Sequence, residues 1–435
     1  MAPRTRPTAH AAPARTGTGP AAPAPEPALM ARVRRRVAAG YRPAGTWDAP
    51  VEHLLPARAA DPRDGGPDAA VTALGGPDAL RGGIALILPT QTARGTAGEQ
   101  RASVARFLDC ARRLAAARPG TPLALLIGMQ WRPGDEDDRA EARRRLDALL
   151  ELAAERVPVP VPVAGLLLPG PGKIRTLNAA FPLAVRLGAA GVGWIDDDVV
   201  MDPDCLERMA DAFLAGGCRG AVGPHKIAHA GAHRVSRLLH RAKAVAAPAT
   251  NYPHGCCVLV ATDVVADGIP DRYDSDDGYL CFALLDPAHP DPLHDLRLLP
   301  DARLHYTVSD GPAGPTRRRV RRLLLCHHIH LADAPYPAAR YYVHHMLFPG
   351  MWPLTGWDGS RGFRHGAANA AVKWLYFGWF LRTGAELYAR GLLGRPLRAV
   401  AWSGHTTLAA PPHALPRTAP PGPAAPGPEP APKKR

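Results

Sequence analysis

A chain of 435 residues has length for one large domain or two ordinary ones, with a substantial core. Its formal net charge of +14 permits an anionic partner (nucleotide, nucleic acid or acidic membrane surface) and selects none of them. Seven cysteines, odd in number and without a C-x-x-C pair, argue against a disulfide framework or a structural zinc site and fit a reducing cytoplasm.

The opening MAPRTRPTAHAAPARTGTG has no continuous apolar core, which argues against a secretory signal. No run reaches the ~18 uninterrupted apolar residues that span a bilayer. The nearest, AANAAVKWLYFGWFL, is interrupted by Lys373. Residues 1–29, rich in Ala, Pro and Thr, are expected to be disordered, as is the Pro-rich tail 405–435. Residues 30–80 read as a helical and loop extension, with ARVRRRVAAGY opening a helix and ADPRDGGPDAA forming a loop.

The stretch 81–330 alternates between two patterns. IALIL (84–88), LALLI (123–127), VAGLLL (163–168) and GVGWI (191–195) are short apolar runs suited to buried parallel strands. Between the first two, Val104, Phe107, Leu108, Ala111 and Leu114 recur at helical spacing, and Leu146, Leu149, Leu150 and Ala153 repeat the pattern after the second. This is the signature of an α/β domain with a mostly parallel sheet. CVLVATDVV suits a further strand, and RRRVRRLLLC a helix with Val320, Leu323 and Leu324 on its apolar side. Residues 331–404 hold much of the aromatic content, including Trp352, Trp357, Trp374, Tyr376 and Trp379, and read as a helical segment or a membrane-facing surface.

Three consecutive carboxylates, Asp196, Asp197 and Asp198, follow GVGWI. Ligands of open α/β sheets bind outside the carboxyl ends of strands, which is where this triplet falls. Asp202 and Pro203 then suit an N-cap and first helical position. A hard cation, Mg²⁺ or Mn²⁺, would neutralise the triplet and hold substrate phosphates; the alternative is a solvated acidic loop capping a helix. Upstream lies GPGKIRTLNAAF, and downstream lies Asp276-Asp277 ahead of GYLCFALL.

With these segments the chain resembles the family 2 glycosyltransferases with a GT-A fold. The family pattern G-K-x-x-A-L-N-x-A is similar to Gly172 through Ala180, with Thr176 in place of the first Ala. The family D-x-D resembles Asp196 to Asp198, and its later acidic pair resembles Asp276-Asp277. The resemblance runs from about Ile84 to about Leu325 and implies an α/β nucleotide-diphospho-sugar transferase fold with a C-terminal helical extension. It implies metal-dependent, inverting transfer of one sugar from a nucleotide-diphosphate sugar to an acceptor hydroxyl. Asp198 would hold the metal with Asp196. Lys173, Asn178, Asp196, Asp197, Pro89 and Thr90 would line the donor side. Asp277 would take the acceptor proton beside Asp276, each carboxylate raising the other's pKa.

Departures from the family are equally specific. Relatives carry Q-x-x-R-W where this chain has Arg318, Arg321 and Arg322. Arg318 and Arg322 share a helix face and would clamp a diphosphate or an anionic acceptor, or form a plain basic face, while Arg321 matches the family arginine and would join Arg318 on the donor side. Loss of the intact motif implies a non-processive reaction. LALLIGMQWRPGDEDD lacks the usual base-gripping aspartate, leaving Asp135 or Asp137 as substitutes, and LPTQTARG lacks the usual Asn-Glu. His327, His328, His330, His344 and His345 have no metal-site spacing and read as core or solvated histidines. Competing readings are a nucleotide-sugar-binding relative without chemistry, a nucleotidyltransferase, and a nucleic-acid binder using RVRRR and RRRVRR, which leaves the aspartates unexplained. The expected location is cytoplasmic, with peripheral contact at the inner membrane face if the acceptor is lipid-linked; a polysaccharide acceptor is equally open.

Overall fold

The computed structural model describes residues 25–42, 50–55, 66–93, 95–157, 161–170, 172–229, 252–307, 313–348, 363–395 and 397–398, with single helical positions at 234 and 237. The expected tail 405–435, most of 1–29, and Trp352 and Trp357 lie outside these residues.

In chain order the elements begin with α1 (Ala28–Gly40), β1 (Tyr41–Arg42), β2 (Glu52–Leu54) and α2 (Pro67–Ala73). The central run is β3 (Ile84–Gln91), α3 (Ala97–Ala117), β4 (Leu123–Trp131), α4 (Glu136–Arg156), β5 (Val163–Pro169), α5 (Lys173–Arg186) and β6 (Gly191–Ile195). β7 (Val199–Met201), α6 (Cys205–Ala215), β8 (Ala221–His229), β9 (Cys257–Ala261), α7 (Thr262–Val265), α8 (Asp276–Leu284) and β10 (Leu296–Thr307) follow. The chain closes with α9 (Ala313–Asp333), α10 (Tyr336–Tyr341), a π-helical turn (Tyr342–Leu347), α11 (Phe363–Leu392) and β11 (Leu397–Arg398).

Local chemistry explains the central helices. Thr96 and Glu99 form a reciprocal capping box at the start of α3, whose Val104, Phe107, Leu108, Ala111 and Leu114 are buried as their spacing predicts. Asp135 caps α4 by accepting from the Asp138 N–H, and Leu146, Leu149, Leu150 and Ala153 face the core. The apolar runs become β3, β4, β5 and β6, every residue of which is buried between two helix layers. Each face of the sheet carries its own hydrophobic core, with Trp194 and Phe181 in one and Phe107 and Phe213 in the other.

The sheet has nine strands in the order β2-β5-β4-β3-β6-β9-β8-β10-β7. The parallel block β5-β4-β3-β6 matches expectation, but the sheet as a whole is mixed: four of its eight pairings are antiparallel. This corrects the mostly parallel reading. CVLVA is as continuously apolar as a parallel strand because both its faces are covered, and burial carries no information on direction; it runs antiparallel to β6 and β8. Two local expectations also change. The helix after the triplet starts at Cys205, and the Asp202 carboxylate bonds His305 at 3.2 Å rather than capping it. On α9, Leu324 and Leu325 are buried while Leu323 is exposed.

The C-terminal helical extension is present and includes the N-terminal helix, since α1 packs against both α9 and α11. Arg34 of α1 donates to the carbonyls of Leu331 and Ala334 at the end of α9.

Helix α5 sits close on the sheet because Gly128 of β4 lacks a side chain: a Cβ there would run into the buried Thr176 methyl. Gly128→Ala is expected to lower the unfolding free energy by about 1–3 kcal/mol through overpacking. Denaturant unfolding of the two proteins measures it.

Candidate active site

The site forms where the carboxyl end of β6 meets the turn that enters β9. Because these strands are antiparallel, Gly255 and Cys256 lie beside the aspartate triplet, and the Asp196 N–H donates to the Cys256 carbonyl at 2.8 Å. The triplet divides. Asp197 turns inward, 1% exposed, and accepts from Thr90 Oγ1 at 2.5 Å; its carbonyl accepts from Ser103 Oγ. Thr90 in turn accepts from the Gln100 amide. Asp196 and Asp198, two residues apart, remain half-buried at the surface of the site.

Lys173 is the first residue of α5, and its position is set by Gln130 of β4. The Gln130 amide grips Gly172 from both sides, accepting from its N–H at 3.0 Å and donating to its carbonyl at 2.6 Å. Gly172 holds φ at 146°, a conformation natural to glycine. From there the Lys173 ammonium reaches three acceptors: the Gly255 carbonyl at 2.6 Å, Asp196 Oδ1 at 3.0 Å and Asp276 Oδ2 at 2.8 Å. Three donors meet three acceptors from three separate segments. Burial by itself would lower the Lys173 pKa, but Asp196 and Asp276 reverse this and the net shift is upward.

Asp276 is buried at the start of α8 and accepts a second bond from the Trp194 indole N–H at 2.7 Å. That N–H also lies 3.1 Å from the Gly255 carbonyl. A side chain at 255 would collide with Asp276, so glycine is required by close approach. Burial pushes the Asp276 carboxyl up to about 6, with Lys173 pulling it down and Asp277 and Asp196 adding to the rise.

Asp277 goes the other way. Burial favours its neutral form, but Ser275 donates to it, and the Lys226 and Lys173 ammonium groups favour the anion, so its pKa falls below the usual range. The Gly278 N–H adds a bond at 2.9 Å. The expectation that each carboxylate raises the other holds for Asp276 and is corrected for Asp277: hydrogen bonding at the helix start makes Asp277 the ionised partner and Asp276 the one that holds a proton more readily.

Lys226 sits with its ammonium 4.5 Å from the centre of the Tyr306 ring and stays charged through Cys256, Tyr306, Asp277 and Asp196, which outweigh its burial. His327 is kept neutral by burial, against the pull of Asp277, and its Nδ1 lies 3.2 Å from the Tyr342 hydroxyl. His328 and His330 are buried, and His344 and His345 are exposed.

Other expected residues have internal partners. The Asn178 amide bonds the Ile269 backbone in both directions, at 2.7 and 2.8 Å. Arg321 grips Glu386 of α11 with bonds of 2.8 and 3.0 Å, while Arg318 is exposed and Arg322 pairs with Asp274 at 3.4 Å. Pro89 is buried in β3, and Asp135 is used as a helix cap. The structure thus unites Lys173, Asp196, Asp276 and Asp277 with Thr90 and Asp197 beneath. Sequence reading missed Gln130, Trp194, Gly255, Lys226 and His327. Of these Gly255, before a cysteine pair, and His327, in the histidine-rich run read as core or solvated, carried a local signal.

Among the described residues no three His, Cys, Asp or Glu side chains form a cage for a metal ion. The two hard carboxylates Asp196 and Asp198 do fit Mg²⁺ or Mn²⁺ held chiefly by substrate phosphate oxygens and water.

No family model and no curated protein matches the sequence. Solved structures that it matches include residues 1–349 of TarS from S. aureus, at 11% identity and a TM-score of 0.33, covering 72% of this chain and 92% of that one. The complex of the same protein with UDP-GlcNAc gives 12% and 0.33, with the same coverage. Glucosyl-3-phosphoglycerate synthase from Mycobacterium tuberculosis, with Mn²⁺, UDP-glucose and phosphoglyceric acid, gives 16% and 0.34, covering 62% of this chain and 83% of that one. Superpositions this loose transfer neither site nor activity.

Because Trp194 bonds the Asp276 carboxylate directly, its fluorescence reports the proton. In metal-free buffer the wild type is expected to show a fluorescence transition near pH 6 that Asp276→Asn lacks. Lys173 pulls that pKa down, so Lys173→Met should move the midpoint upward. A raised carboxyl pKa favours the fold at low pH and loses that contribution as pH rises from about 4 towards 6, so Asp276→Asn should flatten this fall in the unfolding free energy.

Proposed function

We propose that this chain transfers a single sugar from a nucleotide-diphosphate sugar to an acceptor hydroxyl, in a metal-assisted, inverting and non-processive reaction. One observation carries the reading: the Lys173 ammonium ties together the three segments of the glycosyltransferase resemblance, at 172–180, 196–198 and 276–277, at the carboxyl end of β6.

In this reading Asp198, with Asp196, holds Mg²⁺ or Mn²⁺, which when bound supplies Lewis-acid stabilisation of the leaving diphosphate. Lys173 keeps Asp196 aligned and adds positive charge beside the donor phosphates. Thr90 and the buried Asp197 fix the loop from below, as a rigid support for the two flanking carboxylates. The acceptor hydroxyl attacks the anomeric carbon from the face opposite the diphosphate, its proton passes to the ionised Asp277 carboxylate, and the breaking glycosidic bond leaves its electron pair on the diphosphate. One displacement inverts the anomeric configuration. The altered segment Arg318, Arg321, Arg322 supports transfer without processivity.

A nucleotide-sugar-binding relative without chemistry is the second reading. It is favoured by the low basicity of Asp277, which weakens it as an acceptor of the hydroxyl proton. Nucleic-acid binding ranks below both because it gives no role to the Lys173, Asp196 and Asp276 cluster, and Arg34 and Arg322 of the two basic runs are taken up by internal contacts.

Incubating the protein with UDP-, GDP- and dTDP-sugars plus Mn²⁺ and measuring nucleotide release separates these readings. Turnover should disappear on chelation and in Asp198→Ala. Asp277→Asn should cut kcat by about 10²–10⁴ while donor affinity stays within a few-fold. Wild-type release by Asp198→Ala sinks the proposal, and donor binding without release favours the second reading.

A further inference from the structure

Helix α11 is 30 residues long, about 45 Å at 1.5 Å per residue. One side, with Phe380, Thr383 and Leu387, is buried against the protein. The opposite side is unusual for a surface exposed to water. Phe363 (78% exposed), Trp374, Leu381 and Leu392 are spaced by eleven, seven and eleven residues, which at about 100° per residue sets them on one line. Leu375 (75% exposed) lies about 100° round the helix from that line, Leu393 follows the last helical residue, and Ala371, Gly378, Ala385 and Ala389 fill exposed positions near the line.

The charges on this layer have one sign. The exposed charged residues of α11 are Arg364, Arg382 and Arg390, while its single acid, Glu386, is held by Arg321 and lies 3.6 Å from Arg390. Beside it α1 exposes Leu29 and Met30 together with Arg32, Arg35 and Arg36, and contains no acid. Among the described residues no helix is long and apolar enough to cross a membrane. An apolar stripe rimmed by arginines is the pattern of a helix lying in the plane of a membrane interface.

We propose that α11, with α1 alongside, seats the protein on an anionic phospholipid surface. The Phe, Trp and Leu stripe enters the headgroup boundary, and the arginines meet lipid phosphates. Charge decides the occupant. A second copy of the chain would bring arginine against arginine, whereas anionic headgroups complement them. The surface is one helix away from the site: α9 places His327 by Asp277 and, through the neighbouring His328, stacks on Phe380 of α11 at 4.0 Å.

The test uses the full chain in co-sedimentation with phosphatidylcholine vesicles, with and without about 30% phosphatidylglycerol, at low and high salt. Binding is expected only with the anionic lipid, weakening as salt rises. Arg364→Ala and Arg382→Ala should each weaken it about fivefold, and the double variant Trp374→Glu, Leu381→Glu by about tenfold or more. Circular dichroism and Tm of each variant establish that it is folded before its binding is compared. Equal binding by wild type and the Trp374→Glu, Leu381→Glu variant overturns the proposal, as does absence of binding to anionic vesicles. So does a concentration-dependent dimer in light scattering that the same variant dissolves and that does not sediment with lipid. None of these readouts depends on sugar transfer.

Discussion

The candidate site is held together by one buried cation. The Lys173 ammonium lies among the Gly255 carbonyl, Asp196 and Asp276, which come from a turn, a strand end and a helix start. Without that charge, two carboxylates would share a poorly solvated space with no counter-ion, an arrangement that costs several kcal/mol when a buried pair loses one partner. Everything nearby serves its placement. Gly172 provides the backbone turn and Gln130 fixes it, Gly128 lets α5 settle on the sheet, and Gly255 keeps space for Asp276. The antiparallel entry of β9 completes the arrangement, because a parallel strand would begin at the far end of the sheet and leave the lysine one acceptor short.

That placement also divides labour between neighbouring acids. Asp276 is enclosed with an indole and an ammonium, while Asp277, one residue on, is bathed in donors at a helix start. Adjacent positions in sequence thus have opposite acid strength. The division follows from the helix geometry, which turns successive side chains about 100° apart and so into different surroundings. The same logic applies to the triplet. Asp197 is a structural carboxylate held by Thr90, and it allows its two neighbours to face outward at a fixed separation.

Much of this was legible in the sequence, within limits set by physics. The four apolar runs and the two amphipathic helices were plain because burial imposes its own period. Strand direction was not, since CVLVA looks the same either way round. Lys173, Asp196 and Asp276 were identifiable by residue type and order, but their contact spans over a hundred residues and leaves no local trace. Trp194 read as core, which it is; that its N–H also holds a carboxylate depends on a partner 82 residues away. Asn178 and Arg321 illustrate the reverse. Their chemistry suits a ligand, yet the fold supplies nearer partners in Ile269 and Glu386.

Arg34 carries a consequence for the order in which the molecule is built. Its guanidinium closes the exposed carbonyls at the end of α9, doing the work of a helix cap from 297 residues away. During synthesis α1 leaves the ribosome long before that helix exists, so its inward side, with Arg34 and Val37, must wait without its final neighbours while the sheet assembles. The last turn of α9 is therefore sealed, among the described residues, by their first helix, and the helical layer closes only once segments made 297 residues apart have met.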